Sequence, residues 1–169
     1  KIVTLASALE NLPDLDDFAL DCTGYYAVGN YSVTEKEAHG PQTLSQAFAN
    51  SCNPSFMTLG GKIGATLFSK YYVGLGFTTR TQVDLLGEQA VSSSLYYDPL
   101  KMTPVNVAAS SIGQTFKVTP LQMATALCAM ANGGNLMQPY IVQQVLDGDG
   151  NVVSNTEPVV KRQVISADT

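Results

Sequence analysis

Apolar positions Ile2, Leu5, Leu9 and Leu12 recur at helical spacing and stop at Pro13, so the pattern predicts a buried helix over residues 1–12. Between residues 14 and 41 the periodicity disappears among acids, Gly, Tyr and Ser, with turn signals at Thr23-Gly24 and Gly29-Asn30, which predicts a long irregular segment. Thr43 is placed to cap a short helix carrying Leu44, Ala47 and Phe48 on one side, and Asn50 to Asn53 ends it. Pro54 suits a first helical turn, so a kinked helix-loop-helix junction is expected at residues 51–53. Phe56, Leu59, Ile63 and Leu67 form the stripe of the next helix, interrupted near Gly60-Gly61 and Gly64, with a further short helix ending at Gly74 or Gly76. Residues 77–100 read as irregular. Thr103-Pro104 and Thr119-Pro120 each pair an N-cap with proline at the first helical position. After Pro120, Leu121, Ala124, Cys128 and Ala131 line one side and Met123, Leu127 and Met130 the other, so that helix is expected to be buried nearly all round. Asn132-Gly133-Gly134 stops it. Residues 140–146 and 151–153, flanking Asp147-Gly148-Asp149-Gly150, predict a β-hairpin, the one stretch with a convincing strand pattern. Ser166-Ala167-Asp168 reads as the cap of one more helix.

Composition changes this picture in two ways. The 169 residues are about one domain's worth, given roughly 150 residues per domain. Only 14% are charged and the net charge is −5, which disfavours a nucleic-acid partner. A self-contained domain usually carries about 25% charged residues, so some faces are expected to meet further protein, and a chain opening on Lys1 reads as a piece of something longer. No apolar run approaches the roughly 18 residues of a membrane span.

Candidate chemistry is thin when each motif stands alone. Cys22, Cys52 and Cys128 are odd in number and lack C-x-x-C spacing, so they imply neither a disulfide framework nor a metal knuckle. The single histidine, His39, excludes sites that need two imidazoles, and beside Gly40-Pro41 it fits a structural hydrogen-bonder better than a general base. The Asp147 run starts like a calcium loop but has Val152 where glycine and Pro158 where a bidentate glutamate belong. Gly74-Leu75-Gly76 lacks its third glycine at Thr79, and Gly61-Lys62 is followed by Ile63, so neither phosphate-cradling loop survives. No metal and no cofactor are expected.

Read together, several stretches resemble one family. Residues 1–10 (KIVTLASALE) are similar to the helix after the active-site serine of penicillin-binding transpeptidases, whose S-x-x-K motif would end on Lys1. Residues 39–56 (HGPQTLSQAFANSCNPSF) resemble the S-x-N region in the S-C-N form of the monofunctional class B branch. Residues 81–88 (TQVDLLGE), 112–114 (IGQ), 118–123 (VTPLQM) and 131–134 (ANGG) are similar to further stretches in the same order. One departure is Thr115, where many relatives have a second glycine.

The resemblance implies an α/β (α+β) fold of the penicillin-recognising serine transpeptidase and β-lactamase-like type. Residues 1–169 would be its central, mainly helical part with one β-hairpin, truncated at both ends. It implies peptidoglycan D,D-transpeptidation through a serine acyl-enzyme, with catalytic residues Lys1 as base, Ser51 as proton relay and Asn53 as donor to the substrate amide. The acylated serine, three residues before Lys1, and the K-T-G strand would lie outside the chain, leaving these residues inactive by themselves. Implied partners are the peptidoglycan stem peptide and β-lactam antibiotics, with a membrane-anchored parent on the extracytoplasmic face beside a glycosyltransferase, and a dimer covering the exposed apolar face. The alternatives are a non-catalytic scaffold or β-lactam sensor of the same fold, a hydrolytic β-lactamase relative, and a bland helical interaction module.

Overall fold

The threonine caps read from the sequence do start helices in the structure, a computed structural model that describes residues 1–13, 15 and 20–169. Thr43, Thr103 and Thr119 each accept a hydrogen bond from the backbone N–H three residues on, and Gln46, Asn106 and Gln122 each accept one in return from the backbone N–H of the cap. These are complete capping boxes, worth about 1 kcal/mol apiece.

The chain divides into two units: residues 1–72 with 93–117, and residues 73–92 with 118–169. In the first, helices α1 (Ile2–Asn11), α2 (Leu44–Ala49), most of α3 (Asn53–Gly74) and α4 (Pro104–Ser111) accompany two antiparallel ribbons. One pairs β1 (Leu20–Cys22) with β4 (Gly40–Gln42), setting Leu20 opposite Gln42 and Cys22 opposite Gly40. The other pairs β2 (Tyr25–Val28) with β3 (Tyr31–Thr34). The core gathers Phe56, Met57 and Leu59 of α3 with Ala8, Leu20, Cys22, Ala47 and Cys52.

Strands thus run through the stretch expected to be irregular; of that stretch, positions 14 and 16–19 lie outside the described residues. Each strand has only three or four residues, too short for an alternating pattern to emerge.

The face of α1 also differs from the expected one. Val3, Thr4, Ala6, Ser7 and Ala8 are buried while Leu9 is 42% exposed. Small side chains let α1 approach α4 closely enough for Thr4 Oγ1 to donate to the Ser111 carbonyl at 2.8 Å. Along α3 the expected stripe holds as far as Ile63; Gly64 then leaves helical geometry (φ 71°, ψ 176°), and the buried set becomes Phe68, Ser69, Tyr71 and Tyr72.

The second unit joins the end of α3 to α5 (Pro120–Ala131) and two ribbons, β5 (Asn135–Met137) with β8 (Val160–Gln163) and β6 (Gln144–Leu146) with β7 (Val152–Asn155). The latter is the hairpin expected from the sequence. The nearly all-apolar α5 buries only Gln122, Ala126 and Ala129, leaving Leu127 and Cys128 exposed. The buried glutamine joins two segments, since Gln122 Nε2 donates to the carbonyls of Gly76, Phe77 and Thr79 and so ties the stretch after α3 to the start of α5. Two carboxylates fasten loops in the same unit. Asp84 accepts the amides of Val142 and Ile141, which hold it below its ordinary pKa. For Glu88, partial burial pushes upward but is outweighed by hydrogen bonds from Thr81 and Gln82. Among the described residues, no helix is long and apolar enough to cross a membrane.

Candidate functional site

The end of α2 follows a Schellman pattern. The Ser51 N–H donates to the Phe48 carbonyl at 2.9 Å and the Cys52 N–H to the Ala47 carbonyl at 3.0 Å. The motif needs one residue in the left-handed region, and that residue is Ser51, at φ 52°. Helix α4 ends with the same pair of bonds and α5 with the longer one, from the Gly134 N–H to the Ala129 carbonyl, but they place Gly113 (φ 94°) and Gly133 (φ 79°) in the left-handed position. A side chain in this region costs of order 1 kcal/mol, so α2 gives up stability to carry a hydroxyl where its sister helices carry none. Ser51→Gly is therefore expected to stabilise the fold by up to about 1 kcal/mol while deleting that hydroxyl; an unchanged or lower urea midpoint would contradict this.

The left-handed turn aims Ser51 at the start of α1. Lys1 Nζ donates to Ser51 Oγ at 3.1 Å and to Asn53 Oδ1 at 2.6 Å. All three residues singled out in the sequence therefore meet, across about fifty positions, within the first unit. Asn53, with its carbonyl oxygen turned to the lysine, presents its NH2 group as the donor to anything bound beside it. Partial burial pulls the Lys1 side-chain amine below its ordinary pKa, opposed by the electrostatic influence of the neighbouring Glu35 and Cys52.

Residues that sequence reasoning did not select support this cluster. Glu35 Oε1 accepts the Asn53 N–H at 2.8 Å, pinning the first residue of α3. Behind the turn, Gln42 of β4 accepts from Asn50 Nδ2 at 3.0 Å and donates to Ser55 Oγ at 2.9 Å, whose hydroxyl donates to Cys52 Sγ at 3.1 Å. Gln42 and Ser55 are buried, so this polar chain is satisfied inside the protein. Glu35 sits in an aperiodic stretch, and no local signal marks it.

Two of the three cysteines, whose spacing implied neither a disulfide framework nor a metal knuckle, meet in the core. Cys22 and Cys52, thirty residues apart, are both fully buried with their sulfurs 2.9 Å apart. His39 does act as a hydrogen-bonding partner, its Nδ1 lying 3.5 Å from Cys22 Sγ. The third thiol, Cys128, is exposed on α5 in the other unit.

A cavity of about 690 Å³ lies elsewhere, in the second unit, lined among others by Arg80, Leu85, Glu88, Lys161 and Arg162. It contains none of the residues that cluster at Lys1, and its carboxylate is already occupied by Thr81 and Gln82. We place the candidate site at Lys1, Ser51 and Asn53, where amine, hydroxyl and amide converge.

Comparison with known proteins identifies the family. The family described as penicillin binding protein transpeptidase domain matches residues 1–169. Stage V sporulation protein D of Bacillus subtilis is 34% identical over 177 aligned residues, covering all of this chain and 26% of that protein. Penicillin binding protein 3 of Mycobacterium tuberculosis, solved in complex with aztreonam, superposes with a TM-score of 0.82 at 26% identity, over 99% of this chain and 37% of that one. The D,D-transpeptidase domain of a peptidoglycan glycosyltransferase from Eggerthella lenta gives 0.81 at 29% identity, over 99% and 43%. The chain thus spans about a quarter of the length of the curated relatives it matches.

Proposed function

This chain belongs to the penicillin-binding protein transpeptidase domain family, and we propose that it supplies the lysine and the S-x-N elements of a peptidoglycan D,D-transpeptidase active site. The observation that carries the reading is the pair of hydrogen bonds from Lys1 Nζ to Ser51 and Asn53. In this reading Lys1 ends the S-x-x-K motif, and the nucleophilic serine stands three residues before it in a longer polypeptide. Residues three apart share a helix face, which brings Oγ and Nζ together.

The steps then follow. The serine Oγ attacks the carbonyl carbon of the penultimate D-alanine while its proton passes to the neutral Lys1 amine. The C–N bond breaks, and the leaving D-alanine amine collects that proton through the Ser51 hydroxyl, 3.1 Å from Nζ. Asn53 Nδ2 donates to the substrate's amide, oriented by the bond its Oδ1 accepts from Lys1. An incoming stem-peptide amine reverses the sequence and closes the cross-link. A β-lactam acylates the same serine in this reading, in keeping with the M. tuberculosis relative solved in complex with aztreonam. The working location is the extracytoplasmic face of the cell membrane, beside a glycosyltransferase that makes the strands to be joined.

Incubation with a fluorescent penicillin tests the reading. A longer polypeptide carrying a serine three residues before Lys1 and the family's K-T-G strand is expected to be labelled covalently; the 169 residues alone are not. An unlabelled longer polypeptide would sink the enzyme reading, and labelling of the short chain would sink the placement of the nucleophile.

A further inference from the structure

The side of the Ser51–Asn53 turn that faces the core carries a second convergence of chemistry. Cys22 at the end of β1, Glu35 after β3, His39 before β4 and Cys52 between α2 and α3 present two sulfurs, a carboxylate oxygen and an imidazole nitrogen, all within 4.8 Å of one another. We propose that these four side chains form a binding site for a single Zn2+ ion, distinct in residues and in chemistry from the Lys1 cluster.

The donor set is the first argument. Thiolate and imidazole select borderline and soft cations and disfavour magnesium and calcium, which take oxygen donors. Two cysteines, one histidine and one carboxylate complete a four-coordinate zinc shell without water. Geometry is the second. Donors about 2.0–2.3 Å from a tetrahedral zinc stand about 3.3–3.8 Å from each other. Cys22 Sγ to His39 Nδ1 is 3.5 Å and Cys22 Sγ to Glu35 Oε2 is 3.9 Å. The sulfurs, at 2.9 Å, need to open by about 0.9 Å to reach a tetrahedral edge.

The surroundings supply the third argument. Both thiols are fully buried. Ser55 donates to Cys52 Sγ at 3.1 Å, an outer-shell contact of the kind that orients a metal thiolate. Glu35 divides its carboxylate, Oε2 towards Cys22 and Oε1 to the Asn53 amide, so an ion held by Oε2 leaves the support of Asn53 in place. A bare disulfide would explain the two sulfurs but not why His39 and Glu35 converge on the same point. Binding displaces the two thiol protons to solvent and turns four separate segments into one cross-linked unit.

Cobalt(II) is the probe. The 169-residue chain, reduced and stripped of metal, is titrated with Co2+ and the absorbance followed. The expected result is a thiolate-to-cobalt charge-transfer band that saturates at one equivalent and is bleached by one equivalent of Zn2+. X-ray absorption of the zinc form should then show two sulfur neighbours at about 2.3 Å and two nitrogen or oxygen neighbours at about 2.0–2.2 Å. Cys22→Ser should abolish the band, and Glu35→Gln, which keeps its shape, should weaken zinc binding about tenfold or more. The proposal is overturned by any of four results: no band, a band unchanged in Cys22→Ser, a zinc shell without sulfur, or a Cys22–Cys52 disulfide whose reduced form takes up no metal.

Discussion

In a longer, acylating polypeptide, Lys1→Met is expected to slow reaction with a β-lactam by about 10²–10⁴-fold, the usual worth of a positioned general base. Methionine keeps the length and apolar character of the lysine stem, so the loss isolates the amine. Two contacts vanish with it, the 3.1 Å bond to Ser51 and the 2.6 Å bond to Asn53. On the proposed mechanism the attacking serine loses its proton acceptor, and the Asn53 amide loses the hydrogen bond its oxygen accepts from Lys1. The fold should hardly notice, because the buried side of α1 is built from Val3, Thr4, Ala6, Ser7 and Ala8. The measurement is the second-order rate of covalent labelling, beside a melting curve for each protein. A rate within about threefold of the parent, with both proteins folded, would remove Lys1 from the chemistry.

Gly134→Ala is expected to be the most damaging single methyl group in the second unit. Its backbone lies at φ 89°, which side chains rarely adopt, and a Cβ built there overlaps the Ile165 carbonyl oxygen. The neighbouring backbone has little freedom to retreat. The Gly134 N–H closes the end of α5 on the Ala129 carbonyl at 2.9 Å, and the Gly134 carbonyl accepts the Val164 N–H at 2.7 Å, where β8 ends. Backbone strain and overpacking together cost about 4 kcal/mol, or roughly 8–16 °C in melting temperature for a chain of this size. Gly148→Ala is the control, since nothing lies within 4 Å of a Cβ there. Equal melting temperatures for the two variants would refute the packing argument.

What could be read from the sequence was local. Thr103-Pro104 and Thr119-Pro120 announce helix starts because cap and proline act on the next few residues only, and the Asn132-Gly133-Gly134 stop works the same way. The face a helix buries is not local. On α1 the leucine stripe pointed one way, yet small residues fill the contact, because the close approach of Thr4 to Ser111 is decided by a helix a hundred residues later. The ribbons between residues 20 and 42 were illegible because their strands are too short to show alternation. Ser51 and Asn53 could be picked out only through family likeness; their meeting with Lys1 depends on a left-handed turn that no glycine announced. The thiol pair was hidden for the same reason, with thirty residues and three strands between its members.

The outlying ribbon of β6 and β7 has a consequence for handling the protein. All seven of its residues are exposed, among them Val145, Leu146, Val152 and Val153. A lone two-stranded ribbon is marginally stable, and its unpaired edges offer a template for a neighbouring chain. At neutral pH the net charge of −5 keeps copies apart. Towards acid that repulsion fades while the sticky edges remain, so solubility should be poorest there, and preparations are best kept dilute and well above the carboxylate range.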